Sequence, residues 1–249
     1  MAAVDVSSRT GGLASPAIEF NLLSGFDLRL AGRAAEVPPN VQRVLVYLAL
    51  RGRPEHRVAV AAVLWDRSAE DRAAASLRTA LWRARQVNRS LIVAHGDYIT
   101  LGRAVSTDVA RVIDEAHRLA ADPIDPGALA AAELLPIDHC VDDLLPGWYD
   151  DWLLPERERM RQIRLHRLES LCRHFSAQGQ HGLAIEAGLA AVAADPLRES
   201  AQRMLIAAYL AEGNTSEAVR QFDAFATQLR EALDIAPSPA TRTLVATCR

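Results

Sequence analysis

The sequence predicts a mainly α-helical protein in which a small α+β domain precedes an all-α domain of helical repeats. Three observations support this division. Between Arg57 and Gly102, a short helix, a loop, an arginine-rich helix and a tight hairpin follow one another, which is the order of a winged helix-turn-helix. In the second half, similar residues recur 34 positions apart. Arginines outnumber acidic residues in the first half of the chain, whereas the second half is acidic.

The first elements along the chain are a tail, a small sheet and a helix. Residues 1–16 are small and polar, so we expect a flexible N-terminal tail. Apolar residues then alternate in two short runs, which predicts an antiparallel sheet. Pro38 and Pro39 open a helix with an apolar stripe, and Gly52 follows its end. The two runs and the stripe are Ile18, Phe20 and Leu22; Phe26, Leu28 and Leu30; and Val41, Val44, Leu45, Leu48 and Ala49.

A second helix is predicted over about Arg57–Trp65 and an arginine-rich helix near Ala73–Val87. The apolar residues of the arginine-rich helix share one face, while arginines occupy its other faces. Such a helix can pack on a core and still offer guanidinium groups to a DNA groove. Two short strands joined by a turn at Gly96 then predict a hairpin, the wing. The apolar face consists of Leu77, Ala80, Leu81 and Ala84.

The composition changes around Ala104 to Asp108 to Ala-rich and acidic helices, so we place the domains at residues 17–104 and 105–249. Five residues of the second domain match when shifted by 34 positions, the tetratricopeptide period. Because one helix hairpin cannot bury its apolar face alone, about three must stack, with helices in residues 108–135 and 148–178 completing the domain. The matching residues are Leu171, Gly179, Ala184, Ile185 and Ala190 with Leu205, Gly213, Ala218, Val219 and Ala224. We expect the arginines between Arg157 and Arg167 to form either a solvated face or a rim that faces the winged helix.

The net charge of −3 is the sum of a basic first half and an acidic second half. Residues 1–104 contain 14 Arg and 9 acidic residues, whereas residues 105–249 contain 14 Arg and 22 acidic residues. A basic surface segregated in the N-terminal domain favours a nucleic-acid partner.

Composition also excludes several classes of enzyme. All 28 basic residues are Arg, which rules out a P-loop lysine, a Schiff-base lysine and a protein-kinase phosphate clamp. GxSxG, HExxH and CxxC motifs are missing from the sequence. We therefore expect neither enzymatic activity nor a cofactor.

Cysteine usage predicts a cytoplasmic protein. The sequence contains an odd number of cysteines, which lie far apart at Cys140, Cys172 and Cys248. It shows neither a secretory leader nor an apolar run that would span a bilayer. His166, Cys172 and His174 form the only compact cluster of metal-competent side chains, but their spacing spreads them around a helix. We expect no metal site.

Five segments carry a resemblance to a known family. They are Phe20 to Leu28, Val63 to Trp65, Ser76 to Arg85, Leu145 to Tyr149 and Leu233 to Arg242. On these segments and the order of domains, the chain resembles the SARP (Streptomyces antibiotic regulatory protein) type of transcriptional activator, in which a winged-helix domain precedes a bacterial transcriptional activator domain. The resemblance covers nearly everything from residue 18 onward, and its last segment is the most family-specific.

The resemblance implies a pathway-specific regulator of secondary metabolism such as antibiotic biosynthesis. It implies binding to direct repeats in promoter DNA, often as a side-by-side pair of copies, and recruitment of RNA polymerase through its sigma factor and alpha subunit. The chain ends after the helical domain, so it resembles the small, ligand-independent form of the family.

The predicted DNA-binding set lies on the arginine-rich helix and the wing. Arginine can pair bidentately with guanine or with phosphate. Trp82 can either pack against the core or lie exposed toward DNA, and the sequence leaves both open. The set consists of Arg78, Thr79, Trp82, Arg83 and Arg85 on the helix, with Arg89 and His95 at the wing.

A polar loop between the two helices of the motif matches the position at which related activators contact RNA polymerase. The resemblance assigns that contact to Asp66, Arg67, Ser68, Glu70 and Asp71. A solvated connector without a partner accounts equally well for such a loop.

Two functions of different classes remain open. The first is a DNA-binding transcriptional activator, which the segregated arginines favour. The alternative is a helical-repeat adaptor whose winged helix binds protein rather than DNA. The two differ in salt dependence, because each phosphate contact contributes about −0.9 to the log–log slope of DNA affinity against salt.

Overall fold

The computed structural model describes residues 18–120, 143–246 and 248. The predicted tail over residues 1–16, the helices expected between residues 121 and 135, and Cys140 lie outside the described residues. The chain divides into two compact units. The first contains Asp27–Ser106 with the described residues up to Phe20, and the second contains Asn21–Phe26 with the residues from Thr107 onward. The predicted architecture, a winged helix-turn-helix followed by a helical-repeat domain, is confirmed.

Seven strands and nine α-helices lie in the described ranges. The strands are β1 (Ile18–Asn21), β2 (Asp27–Leu30), β3 (Arg33–Ala34), β4 (Glu55–His56), β5 (Ile92–His95), β6 (Tyr98–Leu101) and β7 (Val105–Thr107). The helices are α1 (Pro39–Arg51), α2 (Arg57–Leu64), α3 (Glu70–Val87), α4 (Asp108–Ala120), α5 (Leu154–Ala177), α6 (His181–Ala194), α7 (Glu199–Glu212), α8 (Thr215–Leu233) and α9 (Pro239–Ala246). A short 3-10 helix, Asp151–Leu153, precedes α5.

The strands form two sheets. The expected N-terminal sheet has the order β3-β2-β1-β7, with β2 and β3 antiparallel and Arg29 opposite Ala34. Strand β7 spans the position where the composition changes, and the sequence does not predict it, because three residues are too few for a visible alternation. The second sheet has the order β4-β6-β5, so the predicted wing hairpin gains a third strand from Glu55 and His56.

The helices of the first unit bury the faces that their sequences predict. Helix α1 begins at Pro39, where proline loses no intrahelical hydrogen bond, and Gly52 ends it at φ 62° with its N–H donating to the Leu48 carbonyl. Val44, Leu45 and Leu48 are fully buried. Helices α2 and α3 pack against each other and against α1, so α3 is held from its apolar side.

The second unit contains the predicted repeat. Helices α5 and α6 form one hairpin, and α7 and α8 form the next. Gly179 and Gly213, 34 positions apart, both take the left-handed conformation after the first helix of each hairpin, at φ 72° and 87°. Leu171 and Leu205 are buried at equivalent positions. The tetratricopeptide-like period therefore has a physical basis in two equivalent hairpins.

The expectation of a solvated arginine face on α5 is wrong for three of its members. The Arg167 side chain is fully buried and donates to Glu115 Oε1 of α4 at 2.6 and 2.9 Å. Arg164 is also buried. Arg157 donates to the carbonyls of Leu144, Leu145 and Trp148 at 3.0, 2.6 and 2.8 Å. Helical spacing shows which residues share a face, but not which neighbouring element covers that face.

A buried carboxylate and backbone hydrogen bonds tie the segment Asn21–Phe26 to the second unit. Asp108 at the start of α4 accepts hydrogen bonds from the backbone N–H groups of Leu22, Leu23 and Val109, at distances between 2.7 and 3.0 Å. Burial raises the pKa of the Asp108 carboxyl above its ordinary value, although these N–H donors act in the opposite direction. The Ser24 N–H and the Asp143 carbonyl add a backbone hydrogen bond of 3.0 Å.

The C-terminal segment that carries the resemblance has a structural role. Asp234 ends α8 in the left-handed conformation at φ 55°, and Pro239 begins α9. Glu199 in the first turn of α7 accepts hydrogen bonds from the Ser238 N–H and the Thr241 hydroxyl, and Thr241 is fully buried. These contacts hold α9 against α7, which gives a structural role to a motif that helical periodicity does not require.

Candidate nucleic-acid interface

Helix α3 packs on the core through the predicted apolar face. Its buried residues are Ala73, Leu77, Ala80, Leu81 and Ala84, four of which the sequence predicts. The helix begins at Glu70, three residues earlier than the sequence predicts. Glu70 and Asp71 occupy the first turn, where acidic side chains interact favourably with the helix dipole.

One exposed side of α3, next to the apolar face, brings together three of the predicted DNA-binding residues. Arg78, Trp82 and Arg85 are spaced i, i+4 and i+7, and at about 100° per residue they lie within about 60° of one another. All three are exposed. The sequence leaves open whether Trp82 packs against the core or lies exposed. In the structure Trp82 is 61% exposed and lies away from the core.

A groove runs between this face of α3 and the wing. It consists of a cavity of about 150 Å³ and an adjoining cavity of about 690 Å³ that share Trp82, Arg85, Ile92 and Ala94. Arg57 and Arg78 line the smaller cavity, and Arg89 lines the larger one. Apolar side chains of α3 and β5 form the floor, and arginines form the walls.

The arginines of this surface lack carboxylate partners. In the part of the chain that the structure describes, no acidic side chain forms an ion pair with these residues, whereas Arg29 and Arg53 of the same unit pair with Asp27 and Glu55. Arginine stays protonated at all physiological pH values, so the groove carries uncompensated positive charge. Among the described residues, the groove arginines without a carboxylate partner are Arg57, Arg78, Arg85 and Arg89, and Arg83 on another side of α3 also lacks one.

Arg57 is a groove residue that the sequence-based set omits. Its Nε is buried without a hydrogen-bond partner, and its backbone N–H donates to the Asp97 carbonyl of the wing turn at 2.8 Å. The position at the start of α2, next to the strand that joins the wing, places it opposite α3. The sequence does not reveal the place of Arg57, because the neighbouring strand β4 has only two residues and so shows no periodicity.

Two members of the predicted set lie away from the groove. On helical geometry Thr79 and Arg83 are rotated by about 100° and 140° from Arg78. Both are exposed, and the Thr79 hydroxyl donates to the Ala75 carbonyl within its own helix at 3.0 Å. The structure therefore divides the predicted set into a groove face and a flank.

The wing is a two-residue hairpin. Gly96 holds the first turn position at φ 57°, a conformation that glycine adopts without strain, and His95 pairs with Tyr98 across the turn. His95 is exposed at the tip. The Tyr98 ring meets the His56 ring edge to face at 5.3 Å, which ties β4 to the hairpin.

The predicted polymerase-contact residues occupy two kinds of structure. Asp66, Arg67 and Ser68 lie in the loop between α2 and α3, whereas Glu70 and Asp71 belong to the first turn of α3. All five are exposed. The loop is shorter than the sequence predicts, because α3 extends into it.

The cluster of metal-competent residues on α5 does not converge. His166 is exposed, whereas Cys172 and His174 are buried, and no group of three possible ligands occurs among the described residues. Burial raises the pKa of the Cys172 thiol to about 11, which keeps it protonated at neutral pH. Across the described ranges, no helix combines the length and apolar character needed to cross a bilayer.

Comparison with known proteins agrees with this architecture. Residues 139–249 match the family model of the bacterial transcriptional activator domain. Among solved structures, the chain is similar to Mycobacterium tuberculosis EmbR in complex with a low affinity phosphopeptide, with a TM-score of 0.68 and 21% sequence identity. The similarity covers 92% of this chain and 64% of the EmbR chain. A comparison with curated protein sequences finds no match.

The family whose model matches residues 139–249 is one of transcription regulators rather than of enzymes. The match over residues 139–249 agrees with the bacterial transcriptional activator domain that the resemblance to the SARP-type activators implies. This chain spans 64% of the EmbR chain, so the similarity establishes a shared fold over that part.

Proposed function

We propose that this protein binds promoter DNA in a sequence-specific manner through the groove face of α3 and recruits RNA polymerase. The uncompensated arginines beside α3 are the observation that carries the proposal. Arg78 and Arg85 project from the helix that a winged helix-turn-helix places in the major groove. Each forms no ion pair with a described carboxylate, so each is available for guanine or phosphate.

The wing supplies the second contact. Arg89 lines the outer part of the groove, and His95 lies exposed at the hairpin tip. A basic side chain at this position meets the phosphate backbone beside the groove that α3 enters. Arg83 and Thr79, on the flank of α3, face the neighbouring strand of the duplex. Trp82 presents an apolar ring for a thymine methyl group or a sugar.

The family resemblance supplies the rest of the proposal. The DNA site is a direct repeat near a promoter, occupied by two copies side by side, and the regulated genes belong to a secondary-metabolic pathway such as antibiotic biosynthesis. The contact with the sigma factor and alpha subunit of RNA polymerase falls on Asp66, Arg67, Ser68, Glu70 and Asp71. The protein acts in the cytoplasm.

A salt-dependent DNA titration tests the DNA-binding part. The full-length protein is titrated with promoter fragments from neighbouring genes, beside Arg78→Ala/Arg85→Ala and the flank variant Arg83→Ala. Arg33→Ala is the matched control, because Arg33 is an exposed arginine of β3 in the same unit. If both groove arginines contact phosphates, their loss lowers the log–log salt slope by about 1.8.

The outcomes separate the two functions that the sequence leaves open. Specific binding by the wild type and by Arg33→Ala, with weaker binding by the groove variant at unchanged thermal stability, supports the DNA-binding function. If no fragment is preferred at any salt concentration, the DNA-binding proposal is wrong and the adaptor function gains support.

A transcription assay tests the polymerase contact separately. Asp66→Ala/Arg67→Ala alters only the loop, whereas Glu70→Ala/Asp71→Ala also removes acidic residues from the first turn of α3. We expect the loop variant to bind DNA normally and to lose activation in a reconstituted transcription reaction. Unchanged activation in both variants would assign these residues to a solvated connector and helix start.

A further inference from the structure

A cleft in the second unit carries an inference beyond DNA binding. It has a volume of about 420 Å³ and lies between the Asp143–Gly147 segment and one face of α5. Arg157, Arg161 and Arg164 line it, at the i, i+4 and i+7 spacing that places them on one side of the helix. None of these residues belongs to the proposed DNA surface.

Arg164 is a buried cation with incomplete compensation. Its side chain is 9% exposed, and its Nε and Nη1 are buried without hydrogen-bond partners. Among the described residues its one ion pair joins Nη2 to Asp143 Oδ1 at 3.5 Å, and the Asp143 side chain is 82% exposed. Because a guanidinium does not lose its proton in a protein, burial cannot be relieved by neutralisation. A buried charge with incomplete compensation is unfavourable, so an anion bound here would be stabilising.

The other two arginines differ in how far they are neutralised. Arg157 donates only to backbone carbonyls, which satisfy its N–H groups without cancelling its charge. Arg161 pairs with both oxygens of Glu158 at 2.9 and 3.0 Å and with Asp195 at 3.0 Å. The available positive charge in the cleft therefore lies at Arg157 and Arg164.

The cleft is larger than one inorganic anion needs, and part of its wall is apolar. Leu144 and Met160 are buried beside it, and Leu154 is exposed at its edge. Its volume falls within the range of about 300–1,000 Å³ that small-molecule sites occupy. We propose that this cleft binds a small molecule that bears a phosphate or carboxylate group, with the anion held by Arg164 and Arg157 and an apolar body against Leu144 and Met160.

Such a site departs from the ligand independence that the family resemblance implies. It is also independent of the proposed DNA surface, because its arginines and apolar wall all lie in the second unit. A negative result at the cleft would therefore leave the DNA-binding proposal untouched.

Calorimetric titration of the full-length protein tests the site. The probes are phenyl phosphate, benzoate and inorganic phosphate, with ionic strength held constant by chloride. Phenyl phosphate and benzoate share an apolar ring, so their comparison distinguishes phosphate from carboxylate, and inorganic phosphate measures the anion without the ring. We expect saturable one-to-one binding of at least one aromatic probe, tighter than binding of inorganic phosphate.

Two variants of opposite expected sign and one control variant link binding to the cleft. Arg164→Gln removes the buried charge and should raise Kd at least about tenfold, or about 1.4 kcal/mol. Glu158→Gln removes an exposed acidic group at the cleft and should lower Kd by about threefold. Arg159→Gln is the matched control, since Arg159 is half exposed and is not part of the cleft lining, and should leave Kd unchanged.

Thermal melting without ligand gives a second readout. Removing an incompletely compensated buried charge should leave the Tm of Arg164→Gln at or above the wild-type value. The proposal is overturned if no probe binds the wild type, or if Arg164→Gln and Arg159→Gln bind with equal affinity. If Arg164→Gln fails to fold, the Glu158→Gln titration still decides, because unchanged Kd there contradicts an anion at this position.

Discussion

The buried pair between Arg167 of α5 and Glu115 of α4 provides the sharpest test of how the second unit is held together. Both side chains are excluded from water, at 0% and 1% exposure, and two N–H groups of Arg167 donate to one carboxylate oxygen. Arg167→Met keeps most of the side-chain volume but leaves Glu115 charged and buried. Breaking a buried pair from one side costs about 3–5 kcal/mol. For a unit of this size, that corresponds to a fall in Tm of about 10 °C or more.

Chemical denaturation followed by circular dichroism measures this effect on four proteins. They are the wild type, Arg167→Met, the double variant Arg167→Met/Glu115→Leu and the control Arg220→Met, which breaks an exposed pair with Glu217. We expect the double variant to recover most of the loss, because the buried carboxylate that Arg167 balances is removed as well, and the control to change by at most about 1 kcal/mol. If the double variant is as unstable as Arg167→Met, the cost lies in lost packing and the electrostatic argument is refuted.

Three further predictions concern other positions. Gly102→Ala should destabilise the first unit by about 3 kcal/mol or more in denaturation experiments, because a Cβ there would lie 1.7 Å from the Ser90 carbonyl oxygen. The control is Gly182→Ala in α6, whose added Cβ would meet nothing within 4 Å. This control should be neutral or stabilising. Burial tends to raise the pKa of Glu199, but hydrogen bonds from Ser238 and Thr241 outweigh burial and leave this pKa lowered. The stability advantage of the wild type over Glu199→Gln should therefore be full above pH 4.5 and should decline on acidification through the folded-state pKa. A stability difference that does not depend on pH would contradict this prediction. Burial raises the pKa of the Cys172 thiol to about 11, so iodoacetamide should modify this thiol far more slowly in the folded protein than after unfolding. Peptide mass spectrometry can measure both rates. Equal rates would show that α5 opens readily.

The sequence predicted the site well where one element is enough to define it. The burial of Leu77, Ala80, Leu81 and Ala84 follows from helical spacing alone, and the exposed arginines of α3 follow from the same geometry. The wing follows from a glycine turn between two apolar runs. The position of Trp82 did not follow, because it lies beside the edge of the apolar stripe, where helix geometry permits either environment.

Periodicity in the chain also determined the repeat. Matching residues 34 positions apart correspond to two helix hairpins, with Gly179 and Gly213 at equivalent turns. The repeat could be predicted because each hairpin is a local structure, whose apolar face and turn are formed by residues within one repeat. The role of Glu199, which holds α9 through Ser238 and Thr241, has no such local signal, since the contact joins residues about 40 positions apart.

The sequence by itself determined the class of fold, the order of the domains, the amphipathic faces and the segregation of arginine, because each depends on neighbours within a few turns of chain. Only the tertiary structure decided which arginines are free. Arg57 lines the groove beside α3, Arg164 lines a cleft without an adequate partner among the described residues, and Arg167 is buried against Glu115. An arginine has the same side chain in all three settings, and its role is set by the distant carboxylates, carbonyls and apolar groups that folding brings around it.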